Sequence, residues 1–519
     1  MKYAVDSKEM KKIDYYAVEV LKIPATVLME RAAKEIVAVM KKQINKADRI
    51  LAVCGPGNNG GDGIAAGRIL YIQGYHVAIL FIGEEDKASE QTRTQLDIAH
   101  NLGITIENYN KLHEYNVIID AIFGVGLSRP IFGEYEVIIN EINKNDNLVF
   151  SVDVPSGIST DDGCVMNTAI KADYTITFGY QKQGLLLYPG AEFAGKLTIA
   201  DIGFPEIAAK QAGLNTFYYE PEDVKRLPAR KNYSNKGTYG KVLIIAGSKG
   251  MSGAAYLCAK AAYRTGAGLV KVLTSAANRI IIQTTLPEAL FAAYDEMGIS
   301  LEESKQKLQE DLSWASVIVI GPGLGQSQMA VDLLDLVIKN TKVPIIIDAD
   351  GITLLSKRLD LQSQIMQNLS TQSRINYLRE LLSEQTILTP HLKELSRLLG
   401  ITISDISNNL IDTASQCSYN NKLIYAIKDA RTIVSQHQNR YINVSGNNGM
   451  ATGGSGDALT GIIAALIAQG KQPYEATCLG VYLHGLAGDT VAREKGTYSL
   501  MASDIVNSIE KVIMTKEFV

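Results

Sequence analysis

Four glycine-bearing stretches hold most of the residues whose types and spacing suggest chemistry. The first, "GPGNNGGDG" (55–63), follows the apolar run "RILAVC", and five of its nine residues are glycine. It lacks the GxGxxG spacing of a dinucleotide fingerprint and the Gly-Lys-Ser/Thr ending of a P-loop. Its position at a strand end leading into a helix does offer free backbone N–H groups and a dipole that attract anions. "NVIIDAIFGVGLSRP" adds Asp120 and a second glycine-rich loop containing Arg129, and "LVFSVDVPSG" adds Asp153, Pro155, Ser156 and Gly157. Together they supply Asn58, Asn59, Asp62, Asp120, Asp153 and Ser156, short oxygen-bearing side chains suited to one polar crevice. Each stretch also has a plainer explanation: a tight turn without a ligand, or an Asp that only caps a helix. Three such strand ends in one half of the chain are harder to explain as caps. The fourth stretch, "GGSGD" (453–457), opens an apolar helix, so its N–H groups form an anion hole with Asp457 beside it, unless Asp457 is merely the cap.

Elements that position these residues follow from hydrophobic periodicity. Met10, Ile13, Ala17 and Val20 fall at helical spacing after the cap candidates Asp6 and Ser7, and Leu28, Ala32, Ile36 and Val39 do so after Thr26. Strands are expected at 49–54, 76–82, 116–120 and 147–152, with helices near 61–73, 89–102 and 134–143 between them. This alternation implies right-handed βαβ units and a parallel sheet. It fades near 203–221, and after the polar linker "LPARKNYSNKGTYG" a second series begins. "KVLIIAGS", "AGLVKVLT", "ASVIVIGPG", "VPIIIDAD" and "QTILTP" read as strands covered on both faces, and "SGAAYLCAKAAYRTG" as a small-residue helix. The expectation is an α/β chain of two domains, 1–223 and 224–519, with a polar helical surface insertion at 358–386. Ligands in such open sheets collect at the carboxyl ends of strands.

Composition narrows the partners. The 519 residues carry 46% hydrophobic and 20% charged side chains and a net charge of −4, with no basic stripe, which argues against nucleic acid or an anionic membrane. Five scattered cysteines without CxxC, and six histidines without HxxxH, argue against a disulfide framework or zinc cluster and for a reducing compartment. The polar, helical N-terminus is not a signal peptide, and "IIAALIA" (462–468) is too short to cross a bilayer. A cytoplasmic protein is expected.

In combination, "GPGNNGGDG", "DAIFGVGLSRP" and "VDVPSG" make residues 1–220 resemble the NAD(P)H-hydrate epimerase family, with a Rossmann-like three-layer fold. The resemblance implies that Asn58, Asn59, Gly60, Gly61 and Asp62, with Gly124, Val125, Gly126, Leu127, Ser128, Arg129 and Pro130, hold the damaged nicotinamide nucleotide. It also implies a potassium ion at Asn59, Asp120 and Ser156, an oxygen-only set suited to a hard monovalent cation, and a substrate-contacting acid/base at Asp153.

Residues 225–515 are similar to ribokinase-like kinases, and more closely to the ADP- or ATP-dependent NAD(P)H-hydrate dehydratase family. The carriers are "AGS...SGAA" (246–255), "AYRTGAGLVKV" (262–272), "GPGLG" (321–325), "DADG" (348–351), "TPH" (389–391), "IKDARTIV" (427–434) and the stretch around "GGSGD". By matching position, the resemblance makes Asp457 the base on the substrate hydroxyl. Gly454, Ser455 and Gly456 hold the transferred phosphate, and Ala254, Gly325 and His391 contact substrate. Lys428, Asp429, Ala430, Arg431 and Thr432, with Gly456, bind the nucleotide. A helix start near "HLKEL" is the competing explanation for His391. The chain departs from the usual family sequence at Leu392, Lys393, Asn448 and Ala458.

The expected activity is bifunctional repair: epimerisation of (R)- and (S)-NAD(P)H hydrate, then dehydration of the S form with ADP as co-substrate and magnesium on its phosphates, in a homo-oligomer. A ribokinase-like small-molecule kinase with an accessory domain is the alternative enzyme, and a nucleotide-sensing scaffold with dead sites the alternative from another class.

Overall fold

The computed structural model describes residues 1–295, 301–365, 369–419 and 422–514. The chain divides into two compact units, one of Tyr3–Thr216 and one of Phe217–Val519 with Met1–Lys2. Phe217 and Tyr219 fall in the second unit because they pack on its Tyr441, with ring centroids 5.5 and 4.8 Å away.

The first unit is built on seven parallel strands: β1 (Arg49–Cys54), β2 (His76–Phe81), β3 (Thr105–Ile106), β4 (Val117–Ala121), β5 (Leu148–Val152), β6 (Tyr174–Phe178) and β7 (Lys196–Ala200). Their order, β3-β2-β1-β4-β5-β6-β7, reverses direction between β1 and β4, the point where doubly wound sheets open a crevice. Period-2 alternation loads both faces: Ile50, Ala52 and Cys54 join one hydrophobic cluster, Leu51 and Val53 the other. The strands β6 and β7 precede the stretch where the alternation fades, yet they are not among the strands expected from the sequence.

The helix Ser7–Tyr15 starts as its pattern suggests, with Asp6 and Glu9 in a capping box, and Met10, Ile13 and Ala17 are buried. Two details differ. Val20 is half exposed because a π-helical turn over Tyr16–Val20 shifts the stripe, and the next helix begins at Ala25 after Pro24, so Thr26 is not its cap.

The second unit carries β8 (Lys241–Ile245), β9 (Leu269–Thr274), β10 (Leu290–Ala293), β11 (Val317–Ile320), β12 (Ile345–Ile347), β13 (Thr386–Leu388), β14 (Ile424–Ile427), β15 (Ile433–Gln436) and β16 (Asn439–Ile442). They run β10-β9-β8-β11-β12-β13-β14-β15-β16, parallel up to β14 and antiparallel over the last two pairings. Here too the order reverses, between β8 and β11. The segment 358–386 is helical in Asp350–Ile365 and Thr371–Leu381, while its residues 366–368 lie outside the described part. It is more than a surface insertion: Leu359, Ile375 and Leu378 are buried, and Arg374 donates to Asp360 at 2.9 Å. No helix among the described residues is long and apolar enough to cross a membrane.

Candidate functional site

In the first unit the connections after β1, β4 and β5 meet over a cavity of about 540 Å³. Asn58, Asn59 and Asp62 line it from the helix Asn58–Ile72, Gly124 to Arg129 from the β4 connection, and Asp153 from the end of β5. Pro130 lies outside the lining, and Gly60 and Gly61 are buried behind it. Those two glycines, with Gly55 and Gly63, answer to internal packing. A Cβ at Gly60 would overlap the Gly55 carbonyl, one at Gly55 the Ile122 carbonyl, and one at Gly63 the Ala121 methyl. Only Gly57, with nothing within 4 Å of an added Cβ, leaves open space beside the cavity.

Asp153 is buried and held at φ +65°, a left-handed conformation costing a non-glycine residue about 1–2 kcal/mol. Its Oδ1 accepts from Thr177 Oγ1 at 3.0 Å and the Phe178 N–H at 3.1 Å, and pairs with Lys182 Nζ at 2.7 Å. Asp62 shares the cavity, and burial, reinforced by the charges of Asp153 and Asp14, raises its pKa well above the carboxylate range.

Asp120 lies inside β4 and is fully buried, away from the cavity lining. Its carboxylate accepts from Ser151 Oγ at 2.7 Å, Ser156 Oγ at 2.5 Å and the Ser156 N–H at 2.9 Å. Burial raises its pKa against the pull of those donors. Ser156 Oγ also lies 3.3 Å from the Phe123 carbonyl, and a Cβ at Gly124 would stand 2.9 Å from Asn59 Oδ1. Asn59 Nδ2 is buried without a partner among the described residues.

In the second unit, the helix Ser455–Ala468 starts after Gly454 at φ +89° and carries Asp457 in its first turn. Burial and the nearby Asp348 push Asp457 up to about 6, with Lys428 opposing them. Asp348, at the end of β12, accepts from Lys428 Nζ at 2.8 Å and Thr389 Oγ1 at 2.7 Å. A Cβ at Gly456 would lie 3.3 Å from Lys428 Nζ and 3.8 Å from Asp348 Oδ2, so the glycine admits this close approach. Ser455 Oγ lies 3.2 Å from Nε2 of the buried His484, whose pKa desolvation lowers to about 4.

His391 is the cap of the helix Leu392–Leu399: its Nδ1 accepts from the N–H groups of Lys393 (3.1 Å) and Glu394 (3.2 Å). The helix-start explanation therefore describes its geometry, and Leu392 and Lys393 form the first turn. Half of its side chain remains exposed, and its backbone pairs with Lys428 in an isolated parallel bridge. Burial raises Glu394 beside it to about 7. Ala254 and Gly325 sit on the two connections at the β8/β11 reversal, tied by Gly247 N to Pro322 O (2.8 Å) and Ser248 N to Gly323 O (2.6 Å). Asp429 and Ala430 are exposed, while Arg431 donates to the Val444 carbonyl at 3.1 Å and Thr432 O accepts from Asn443 N at 2.9 Å.

Each unit matches a protein family: residues 25–184 the one described as YjeF-related protein N-terminus, residues 242–511 the one described as NAD(P)H-hydrate dehydratase. A bifunctional NAD(P)H-hydrate repair enzyme from Thermofilum pendens is 34% identical over 97% of this chain and 95% of its own length. The chain belongs to the bifunctional NAD(P)H-hydrate repair enzyme family. The Escherichia coli member is 31% identical over 96% of this chain and 91% of its own length. A ribokinase-like superfamily protein from Enterococcus faecalis is 28% identical, with a TM-score of 0.50 over 58% of this chain and 96% of that one. The second unit is ribokinase-like and the first Rossmann-like.

Within this repair-family framework, several residues at the two sites had not stood out in the sequence. Asp348 belongs to the quoted "DADG", but nothing in that motif gives it a role. Lys182, Thr177 and His484 carry no motif at all; only the cavity and the helix start bring them next to Asp153 and Ser455.

Proposed function

We propose that the chain repairs hydrated nicotinamide nucleotides, its first unit equilibrating the R and S hydrates and its second dehydrating the S form with ADP. The observation that carries this reading is that each sheet's carboxyl edge presents a carboxylate beside a glycine loop, Asp153 at the cavity and Asp457 in the first turn of its helix.

For epimerisation, the ring nitrogen's lone pair expels the C6 hydroxyl once that oxygen takes a proton. Water then adds to either face of the resulting iminium. One carboxyl group that gives and takes a proton suffices, and Asp153 is assigned that task. Asn58, Asp62 and residues 124–129 are assigned to substrate.

An oxygen set of Asn59 Oδ1, Asp120, Ser156 Oγ and the Phe123 carbonyl suits a potassium ion. These residues would hold the ion, which would supply positive charge beside the β4 and β5 connections.

For dehydration, Asp457 takes the proton of the C6 hydroxyl, whose oxygen attacks the terminal phosphorus of ADP and releases AMP. Gly454, Ser455 and Gly456 hold the transferred group through preorganised N–H groups. Phosphate then leaves with the C–O electron pair, and loss of a C5 proton restores NAD(P)H. Lys428 is assigned to neutralise phosphate charge, and Asp429 to Thr432 to bind the nucleotide. Ala254, Gly325 and His391 are assigned to substrate. Among the described residues no group of three or more His, Cys, Asp or Glu is placed to hold a metal, so magnesium is assigned to the ADP phosphates rather than to a protein cage.

The test gives purified protein NADH hydrate with and without ADP. ADP-dependent recovery of NADH supports the reading, and no NADH with either ADP or ATP rejects it.

A further inference from the structure

Asp153 meets a lysine whose position suits more than a structural ion pair. Lys182 borders the cavity with Asp153 and Phe178, yet has no surface open to solvent. Its Nζ lies 2.7 Å from Asp153 Oδ1 and donates to the Phe178 carbonyl at 2.8 Å. A short parallel ladder, with Val5 opposite Lys182 and Ala4 opposite Gln181, pins its backbone. Phe178 in turn donates its own N–H to Asp153 Oδ1, so the strand end and the lysine clamp the same oxygen.

This arrangement raises a question of proton supply. Three donors occupy Oδ1, so a proton that Asp153 passes to substrate travels on Oδ2, and each loss of the C6 hydroxyl consumes one that must be resupplied. We propose that Lys182 is the store for the proton that Asp153 passes to and from substrate, a positioning and relay residue acting through that carboxylate. The proposal rests on the reading of Asp153 as the epimerisation acid/base.

A Lys182 Nζ–H bond breaks with its electron pair left on nitrogen, and the proton joins the Asp153 carboxylate, leaving a neutral amine and carboxyl. The carboxyl proton moves to the C6 hydroxyl, whose C–O bond breaks with its electron pair as water departs. The ring-nitrogen lone pair forms the N=C bond. A water adds to C6 from either face, and its proton returns to Asp153 and then to Lys182. The protein ends in its starting protonation state, as catalysis of an equilibrium in both directions requires.

Burial favours a lysine able to release its proton: desolvation lowers the Lys182 pKa despite the opposing charge of Asp153. The other charged groups bordering the cavity are Asp62 on the helix Asn58–Ile72, Lys11 and Asp14 on the helix Ser7–Tyr15, and Arg129 on the β4 connection. They are common to parent and variants, so a difference between pH profiles isolates Lys182.

Interconversion of a single hydrate epimer, without ADP, is followed against pH for the full chain and for Lys182→Met and Lys182→Arg. In Lys182→Met the proton must sit on Asp153 itself, so the basic limb of kcat/KM moves down by ~2 pH units or more while KM changes less than about threefold. Lys182→Arg keeps a cation that cannot surrender its proton, and its activity falls at least ~100-fold. A Met variant with the parent's basic limb, whatever its kcat, overturns the proposal, and so does an Arg variant within about threefold of the parent at neutral pH. Should neither variant fold, carbon NMR of ε-labelled lysine in the parent decides. The Lys182 titration must coincide with the basic limb, and a gap of more than ~1 pH unit rules the relay out. Asp153→Asn separates the two levels: full epimerase activity in it defeats the underlying reading. An inactive Asp153→Asn beside a Lys182→Met with the parent's limb defeats only the relay.

Discussion

Asp153 and Asp457, proposed for different tasks, also stand in different surroundings. Asp153 is clamped by three donors, while Asp457 stands in a helix's first turn with its charge opposed by burial and by Asp348. Asp153→Asn is expected to slow epimerisation by ~10²–10⁴ and to leave ADP-dependent conversion of pure S hydrate within about twofold, measured on separated epimers. A base must be ionised to act, so dehydratase kcat/KM should fall as pH drops through about 6. Lys428→Met should move that limb to higher pH, because Lys428 lowers the Asp457 pKa; a limb that stays put would separate the two residues. Asp457 also bears on stability. Its folded pKa, about 6, exceeds the ordinary aspartate value of 3.8, so the charged form costs the folded state. That cost is absent below the unfolded pKa and complete above the folded one. Thermal unfolding of Asp457→Asn should therefore show a higher midpoint relative to the parent at pH 8 than at pH 4. Both carboxylates were legible in the sequence, because each follows a strand and adjoins a glycine motif. Lys182, Asp348 and His484 were not, since their roles come from contacts 29 to 80 residues apart in the chain.

At the scale of elements, the strand-to-helix connection 55–63 shows how one motif serves both packing and access. Gly55, Gly60 and Gly63 stand where backbone or the Ala121 methyl closes in, Gly61 faces the movable end of the Met29 side chain, and Gly57 borders the cavity. Gly60→Ala is expected to destabilise the first unit by ~1–3 kcal/mol, since a Cβ there meets the Gly55 backbone carbonyl and neither backbone can yield cheaply. Gly57→Ala, facing open space at φ −79°, should stay within about 0.5 kcal/mol of the parent in denaturant unfolding. Equal destabilisation by both would contradict this division. The parallel strands β1, β2, β4 and β5 could be read from sequence because each is a short apolar run bounded by helix signals. The strands β6 and β7 escaped because Tyr174, Thr175, Thr177 and Thr198 interrupt that pattern. Buried Leu359, Ile375 and Leu378 in the 358–386 segment were hidden by its polar majority.

For the whole molecule, two units each with its own carboxylate site make sense as one repair system, because a dehydratase specific for one epimer leaves the other stranded. A separate family match over each unit supports a pairing of two activities in one chain. If substrate exchanges through solution, equal amounts of Asp153→Asn and Asp457→Asn chains should together convert a mixed hydrate pool completely, although neither does so alone; failure of the mixture would require transfer within one chain. The most direct measurement follows NADH absorbance on adding ADP to a mixture of R and S hydrates, with the parent and with Asp153→Asn. The parent should carry recovery past the S fraction to completion, and Asp153→Asn should stop near the S fraction before slow spontaneous epimerisation resumes it. A parent that halts at the S fraction, or an Asp153→Asn chain that runs through it at the parent's rate, would contradict the account.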